Sequence, residues 1–298
     1  MIQITALLEK HRLNNKQGNP QKLTFKGVGD KDVYNITAPF KFNHQELIAG
    51  RIESRCDEQS MIGLFIEEEE NIWNLIPESI CLPLQDPFIT FIDNQLILGG
   101  VEVQFESDHA RWRTVFYRLV TIREVEKVFS GPWGMKDLRI KQLENNQILV
   151  LTRPQGTKGG RGKIGGCVIN HLDQLTIQVI EAAPLLNNQF SDDEWGGANE
   201  IHCIDGKVFV LGHIANFDDM GNRHYYAMTF ELDLENFEIL SPKIIAERKD
   251  FTDGPMKRTD LEDVVFSGGI QFVDKQTVIF AGISDAGAQK LTIENPFR

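Results

Sequence analysis

QLILGGVE, from Gln95 to Glu102, follows the turn pair Asp93-Asn94 and runs through Leu96, Ile97 and Leu98 to a glycine pair and a charged end. The same phrase returns as ELIAGRIE from Glu46, QILVLTRP from Gln147, KVFVLGHI from Lys207 and TVIFAGIS from Thr277, with starts 49, 52, 60 and 70 residues apart. Short apolar runs recurring at about 40 to 50 residues or a little more, joined by Asn/Asp/Gly turns, mark propeller blades, each of which hides one sheet face on the next. The chain therefore reads as all-β, a five-bladed β-propeller. The runs outside this phrase agree: from Leu23 onward they are short, rich in Val, Ile, Phe and Thr, and bounded by pairs such as Asn145-Asn146 and Asp205-Gly206.

Residues 6–13, ALLEKHRL, have helical spacing, and the polar stretch NNKQGNPQK ends them. Residues 1–22 are thus expected to form a short cap or latch, and 23–298 the propeller domain. Closing a propeller requires strands from both chain ends in one blade, and Thr24 to Gly27 is expected to supply the missing strand. Three longer loops break the rhythm, at 154–166, 184–198 and 249–263, and loops of that length in a compact domain are the place to look for a substrate.

With 41% hydrophobic residues in 298, there is ample material for a core. The formal charge of -12 and pI near 5.1 exclude a nucleic-acid binder that tracks a phosphate backbone, which needs a basic field. Cys56, Cys81, Cys167 and Cys203 lack metal or disulfide spacing, so buried free thiols are expected. No basic-then-apolar leader opens the chain and no run approaches the ~18 apolar residues of a membrane span, so a cytoplasmic protein without membrane contact is expected.

Polar residues just before the first strand of each blade converge on the axis: Asp32 and Asn35, Asp86, Asp137, Asn199 and Glu200, and Asp263. Carboxylates so close cannot all ionise cheaply, so at least one pKa is expected to rise, as a general acid requires. Asp86 is the sharpest case, because Pro87 favours a stiff extended peptide before it. The bland account is that such aspartates cap turns. Strand ends add Arg51, Glu53, Arg55, Glu102, Arg153 and His213, as ion pairs or as ligand contacts. The run GTKGGRGKIGG combines backbone donors with Lys158, Arg161 and Lys163, and is either a solvated glycine loop or an anion nest. It is not a Walker A loop, since Thr157 stands where the first glycine belongs and Ile164 follows Lys163. No G-x-S-x-G elbow and no H-E-x-x-H occur. Trp133 and Trp195, among glycines, are candidates for stacking on a sugar, or simply pack their loops.

GVGDKDVYNITAPF, LQDPFITFIDNQLILGGVEV, MKDLRI with LTRPQGTKGGRGKIGG, WGGANEIHCIDGKVFVLGH and DLEDVVFSGGI together resemble the bacterial and trypanosomatid proteins of glycosyltransferase family 108, from about residue 25 to the carboxyl end. That family is similar in fold to the five-bladed mannoside phosphorylases of glycoside hydrolase family 130. The resemblance implies action on β-1,2-linked manno-oligosaccharides, by reversible phosphorolysis to mannose 1-phosphate or by mannosyl transfer. It implies Asp86 as the general acid, although Gln85 and Phe88 stand where related segments carry acidic and basic flanks. Candidates for phosphate are then Arg55, Arg153, Lys158, Arg161 and His213, and for sugar hydroxyls Asp32, Asn35, Glu53, Glu102, Asp137, Asn199, Glu200 and Asp263. No metal or cofactor is required, because preorganised cations and hydrogen bonds can stabilise the transition state. Two rivals share the fold: a glycosidase that uses water, and a sugar-binding propeller without catalysis.

Overall fold

A computed structural model of the protein describes residues 2–14, 18–106, 109–273 and 276–298. The chain is mostly β. Part of the polar stretch after the first helix, residues 15–17, lies outside the described residues.

Each recurring phrase becomes the second strand of an antiparallel meander: Gln45–Glu53, Gln95–Phe105, Ile148–Thr152, Lys207–Phe217 and Gln276–Ile283. The strands preceding them in hydrogen-bonded order are Asp32–Tyr34, Gln85–Ile92, Arg139–Gln142, Trp195–Ile204 and Val265–Val273, and those of the second to fifth meanders pack on one another. The connecting turns are made by the residues the sequence offers. Asp93, Asn94, Asn146, Asp205 and Gly206 all carry positive φ, the backbone region that two-residue hairpins need and that Asn, Asp and Gly enter most cheaply.

Five apolar clusters fill the seams between consecutive meanders. Leu47 and Leu64 of the first meet Leu98 and Val115 of the second. Ile97 and Phe116 meet Ile140 and Val150 of the third. Leu149 and Leu151 meet Val210 and Phe230 of the fourth. Leu211 and Ala227 meet Ile279 and Ala281 of the fifth. Phe280 and Ala288 return to Ile48 and Phe65 of the first. Each of the Leu, Ile, Val and Phe side chains contributes about 1.5–3 kcal/mol by leaving water, and because strands alternate faces, one strand feeds two seams.

Closure uses one strand twice. Pro20–Lys26 pairs antiparallel with the last strand through residues 20–23 and parallel with Ile72–Leu75 through residues 24–26, welding the first and fifth meanders into a single ten-stranded sheet. Closure therefore begins four residues before the expected Thr24. The third meander has three strands; Leu172–Gln174 and the helix Ile177–Ala182 follow it, sending Leu175 and Ile180 into the same core.

The first helix, Ile4–Asn14, docks Leu7 and Leu8 on the third-to-fourth seam. Arg12 donates to both oxygens of buried Glu247 at 3.0 and 2.7 Å, and His11 Nε2 lies 2.7 Å from Asp250 Oδ2. All four cysteines are free, but Cys56 and Cys81 are exposed and the other two half-buried, so the expected burial does not hold. Among the described residues no helix is long and apolar enough to cross a membrane.

Candidate active site

Each meander contributes a buried polar side chain where the regular ladder of its leading strand breaks. Asn35 and Asp137 stand just outside their strands with φ of 46° and 58°; Asp86 has φ of 50° within a bulge opposite Gly99 to Val101. Asn199 sits at the bulge between Ala198 and Glu200, and Ser267 borders the bulge at Gly268. An extra residue or a left-handed backbone re-aims a side chain away from the regular pleat, and such irregularities collect at functional sites. All five residues are at most 6% exposed. The expectation of an extended peptide at Asp86 is thereby corrected: the ladder break, rather than proline stiffness, directs this carboxylate.

The five side chains are joined in a network. Asn35 Nδ2 donates to Asp86 Oδ1 at 2.7 Å, and Arg51 Nη1 donates to the same oxygen at 3.0 Å. Buried Arg139 also feels the Asp86 charge, lies over the Phe88 ring at 4.2 Å, and donates through Nε to the Asn199 carbonyl at 2.8 Å. Asn199 Nδ2 donates to the Ser267 carbonyl at 2.7 Å and hydroxyl at 2.9 Å. Glycines complete the circuit, since a Cβ on Gly268 would collide with the Ile36 carbonyl at 1.5 Å.

Asn199 also fixes the state of His213. Its Nδ2 is committed to Ser267, so Oδ1 faces His213 Nδ1 at 3.0 Å and that nitrogen must carry the proton. Burial, reinforced by Arg153, Lys136 and Arg139 and opposed by Asp137, holds the His213 pKa down at about 3. The ring is therefore neutral, with Nε2 a bare acceptor 4.0 Å from Asp137 Oδ2. Asp137 shows the reverse balance: burial raises its pKa, but Arg153, Lys136, His213 and Arg139 bring it to about 2. Three buried polar atoms in this network have no hydrogen-bond partner among the described residues: Asn35 Oδ1, Asp137 Oδ2 and Arg153 Nη1.

The sign of the His213 effect gives a prediction. The unfolded imidazole takes a proton near pH 6.5 and the folded one does not, so stability is full above that value and is lost as pH falls from 6.5 toward 3. Wild-type Tm is expected to drop between neutrality and roughly pH 5. His213→Phe, which can keep the stack on Tyr225, should flatten that slope. An unchanged slope would assign it to another group, but not to His224. Asp263 and Asp218 raise that histidine against burial, so its stabilisation is present at low pH and lost on raising pH.

A cleft of about 500 Å³ is lined by Gln85, Lys136, Arg153, Arg161, Trp195 and Tyr225, with Arg153 its link to the network. Val101, Val103 and Trp112 line it as well. Arg161 lies over the Phe217 ring at 5.0 Å. Among the described residues neither Lys136 nor Arg161 has a side-chain hydrogen bond or ion pair. Trp195, proposed for stacking, does line the cleft, whereas Trp133 is covered by Arg111 and Arg113.

The remaining sequence candidates are scattered. Asp32 and Arg55 form a bidentate pair at 2.5 and 2.9 Å on the exposed rim. Glu53 is buried with both oxygens taken, by Tyr34, Arg51, Ser60 and Lys257, and has none left for a sugar. Glu102 pairs with Arg113, and Glu200 with His202 and the Ile270 amide. Asp263 pairs with His224, and burial raises its pKa away from the network. Lys158 donates to the carbonyls of Glu181 and Ala183 at 2.5 and 2.6 Å, tying the glycine run to the helix Ile177–Ala182. Sequence reading missed Lys136, Arg139, Lys257 and Asp285. Burial also raises Asp285, with Arg51 opposing and Asp86 adding to the rise, so the upward shift expected among the axial carboxylates is met by Asp263 within the original set and by Asp285 outside it.

A sequence profile of the family described as "Protein of unknown function (DUF1861)" matches residues 9–298. The chain belongs to the DUF1861 family. Solved structures similar to it include two mannose enzymes. MPT-4, a mannose phosphorylase from Leishmania mexicana in complex with phosphate ion, is 31% identical, with TM-score 0.91 over 99% of this chain and 93% of that one. MPT-1, a GDP-Man-dependent mannosyltransferase from the same organism, is 27% identical, with TM-score 0.90 over 99% and 95%. The β-1,2-mannobiose phosphorylase of Listeria innocua, 12% identical with TM-score 0.64 over 94% and 92%, shares the fold. No curated protein sequence matches this DUF1861 chain.

Proposed function

We propose that the chain is an inverting mannoside phosphorylase or mannosyltransferase of glycosyltransferase family 108, built as a five-bladed β-propeller and acting on β-1,2-linked manno-oligosaccharides. The observation that carries this is the pairing, in one buried network, of an anion-seeking group with a carboxylate. Arg153 Nη1 lacks a partner, Arg153 lines the cleft together with the unpaired Lys136, and Asp86 accepts from Asn35 and Arg51 on Oδ1, leaving Oδ2. The ring of apolar seams supports the propeller, and the Leishmania enzymes support the reaction class.

In phosphorolysis a phosphate oxygen attacks the anomeric carbon, forming the C1–O–P linkage as the bond to the leaving sugar breaks, and Asp86, protonated for this step, gives its proton to the departing oxygen, directly or through a substrate hydroxyl, and is reprotonated by the proton that phosphate loses. Arg153, Lys136 and Arg161 would offset the charge of the nucleophile. Neutral His213 would accept from a phosphate or sugar hydroxyl through Nε2, and Asn35 Oδ1 and Asp137 Oδ2 from sugar hydroxyls. Asp32, Arg55, Glu53 and Lys158, held by protein partners, are left out of this scheme.

The test is to incubate the protein with mannose 1-phosphate and a panel of sugar acceptors and follow inorganic phosphate. Release by wild type, and its loss in Arg153→Ala, is expected. Mannose liberated from oligosaccharide without phosphate, unaffected by Arg153→Ala, would instead establish hydrolysis. Saturable sugar binding with no product in any arm, GDP-mannose included, would leave a binding protein.

A further inference from the structure

Arg153 packs against the backbone of two glycine runs. Its Nε donates to the Gly196 carbonyl at 2.8 Å and Nη2 to the Arg161 carbonyl at 3.4 Å, while Nη1 has no partner. A Cβ on Gly162 would stand 2.5 Å from Nη2, 2.6 Å from Cζ and 2.7 Å from Nε, that is, on the guanidinium itself. Gly162 has φ of 146°, which L side chains rarely adopt. A Cβ on Gly197 would lie 2.9 Å from Arg153 Cδ, 2.9 Å from Asp137 Oδ2 and 2.9 Å from His213 Cε1. One added methyl there would touch three members of the network at once.

We infer that Gly162 and Gly197 are positioning residues, which fix the direction of Arg153 Nη1 and the spacing of Arg153, Asp137 and His213 toward the anion; this rests on the phosphate reading above. A guanidinium is a planar fork whose value in binding oxyanions depends on its orientation. Held by hydrogen bonds at Nε and Nη2 and by bare backbone against its plane, it has one nitrogen to offer and one direction in which to offer it. The glycine runs GTKGGRGKIGG and WGGANE thus contribute less as a nest of amides than as walls thin enough to let an arginine be buried flat between them.

The test is isothermal calorimetry with inorganic phosphate, together with kinetics in the phosphorolytic direction, on Gly162→Ala and Gly197→Ala in both wild-type and Arg153→Lys backgrounds. A misplacement near 1 Å costs roughly 100-fold, and phosphate affinity should fall by up to that factor in the wild-type background. KM for phosphate should rise more than kcat falls. An ammonium has no plane to be pressed, so Gly162→Ala should cause no further loss in Arg153→Lys. Equal losses in both backgrounds, or a lowered Tm with unchanged phosphate affinity, overturn the inference. Should Gly162→Ala fail to fold, Gly197→Ala carries the same comparison through its effect on phosphate affinity. If wild type binds no phosphate, the phosphorylase reading itself falls; if wild type binds and the glycine variants bind equally, only the positioning role does.

Discussion

Asp86→Asn is expected to reduce phosphorolysis and its reverse by about 10²- to 10⁴-fold, the range a positioned proton donor supplies, with little loss of stability. Asparagine keeps an oxygen that can accept from Asn35 Nδ2 and Arg51 Nη1, the two donors on the native carboxylate. Arg51 does not become an orphan charge either, because its Nε and Nη2 remain on Glu53 at 3.0 and 2.5 Å. What asparagine cannot do is exchange a proton with a leaving oxygen. The measurement is kcat in both directions alongside the thermal midpoint. Retention of turnover within a few-fold would move the acid elsewhere in the network, and Asp285 is the next group to examine. Its pKa is raised by burial and by the Asp86 charge, so neutralising residue 86 should let it fall. Carbon-detected titration of Asp285 in the two proteins would show this.

The repeated phrase made the meanders legible because it encodes two local things, an apolar strand facing two seams and a turn that tolerates positive φ. Both are visible within about ten residues, as at Asp93-Asn94 and Asp205-Gly206. The polar residues leading the strands were equally legible: Asn35 is bonded to Asp86, and Asn199 and Asp137 share His213. Their backbone geometry was not, since a bulge depends on the partner strand. At Asp86 the local proline preference pointed to an extended peptide and the ladder imposed a left-handed one. Ion pairing was least legible of all. Whether a charged strand-end residue serves a ligand or the fold depends on partners far along the chain: Lys257 reaches Glu53 from 204 residues away, and Lys158 is spent on carbonyls of a helix after the third meander. Lys136 escaped notice because nothing in MKDLRI says that its amine, unlike its neighbours, remains unpaired beside a cleft.

Glu53→Ala should damage the fold strongly, by about 3 kcal/mol, the low end of the cost of removing one partner from a buried ion pair. Here two buried cations lose a shared partner, Arg51 keeping Asp86 at 3.0 Å and Lys257 keeping Glu58 at 3.2 Å. Arg51 and Lys257 are only 5–6% exposed at their side chains, and both donate to this carboxylate, with Tyr34 and Ser60 filling its remaining capacity. Lys257 also ties the 249–263 loop to the first meander through the Asp57 carbonyl at 3.0 Å, so the loss should be greatest where that loop crosses. Glu53→Gln keeps the shape but turns an amide toward cations, and should fall between alanine and wild type. The pH dependence separates charge from packing. Burial raises the Glu53 pKa, but Arg51, Lys257, Ser60 and Tyr34 together hold it below 4.5. Its stabilisation is therefore full above the unfolded value of 4.5 and is lost as pH falls through the lower folded value. Urea unfolding should show a gap between wild type and Glu53→Gln that is constant from neutrality to about pH 5 and narrows below it. A gap that stays flat into acid would mean that shape and hydrogen bonds, rather than the carboxylate charge, hold Arg51 where Asp86 needs it.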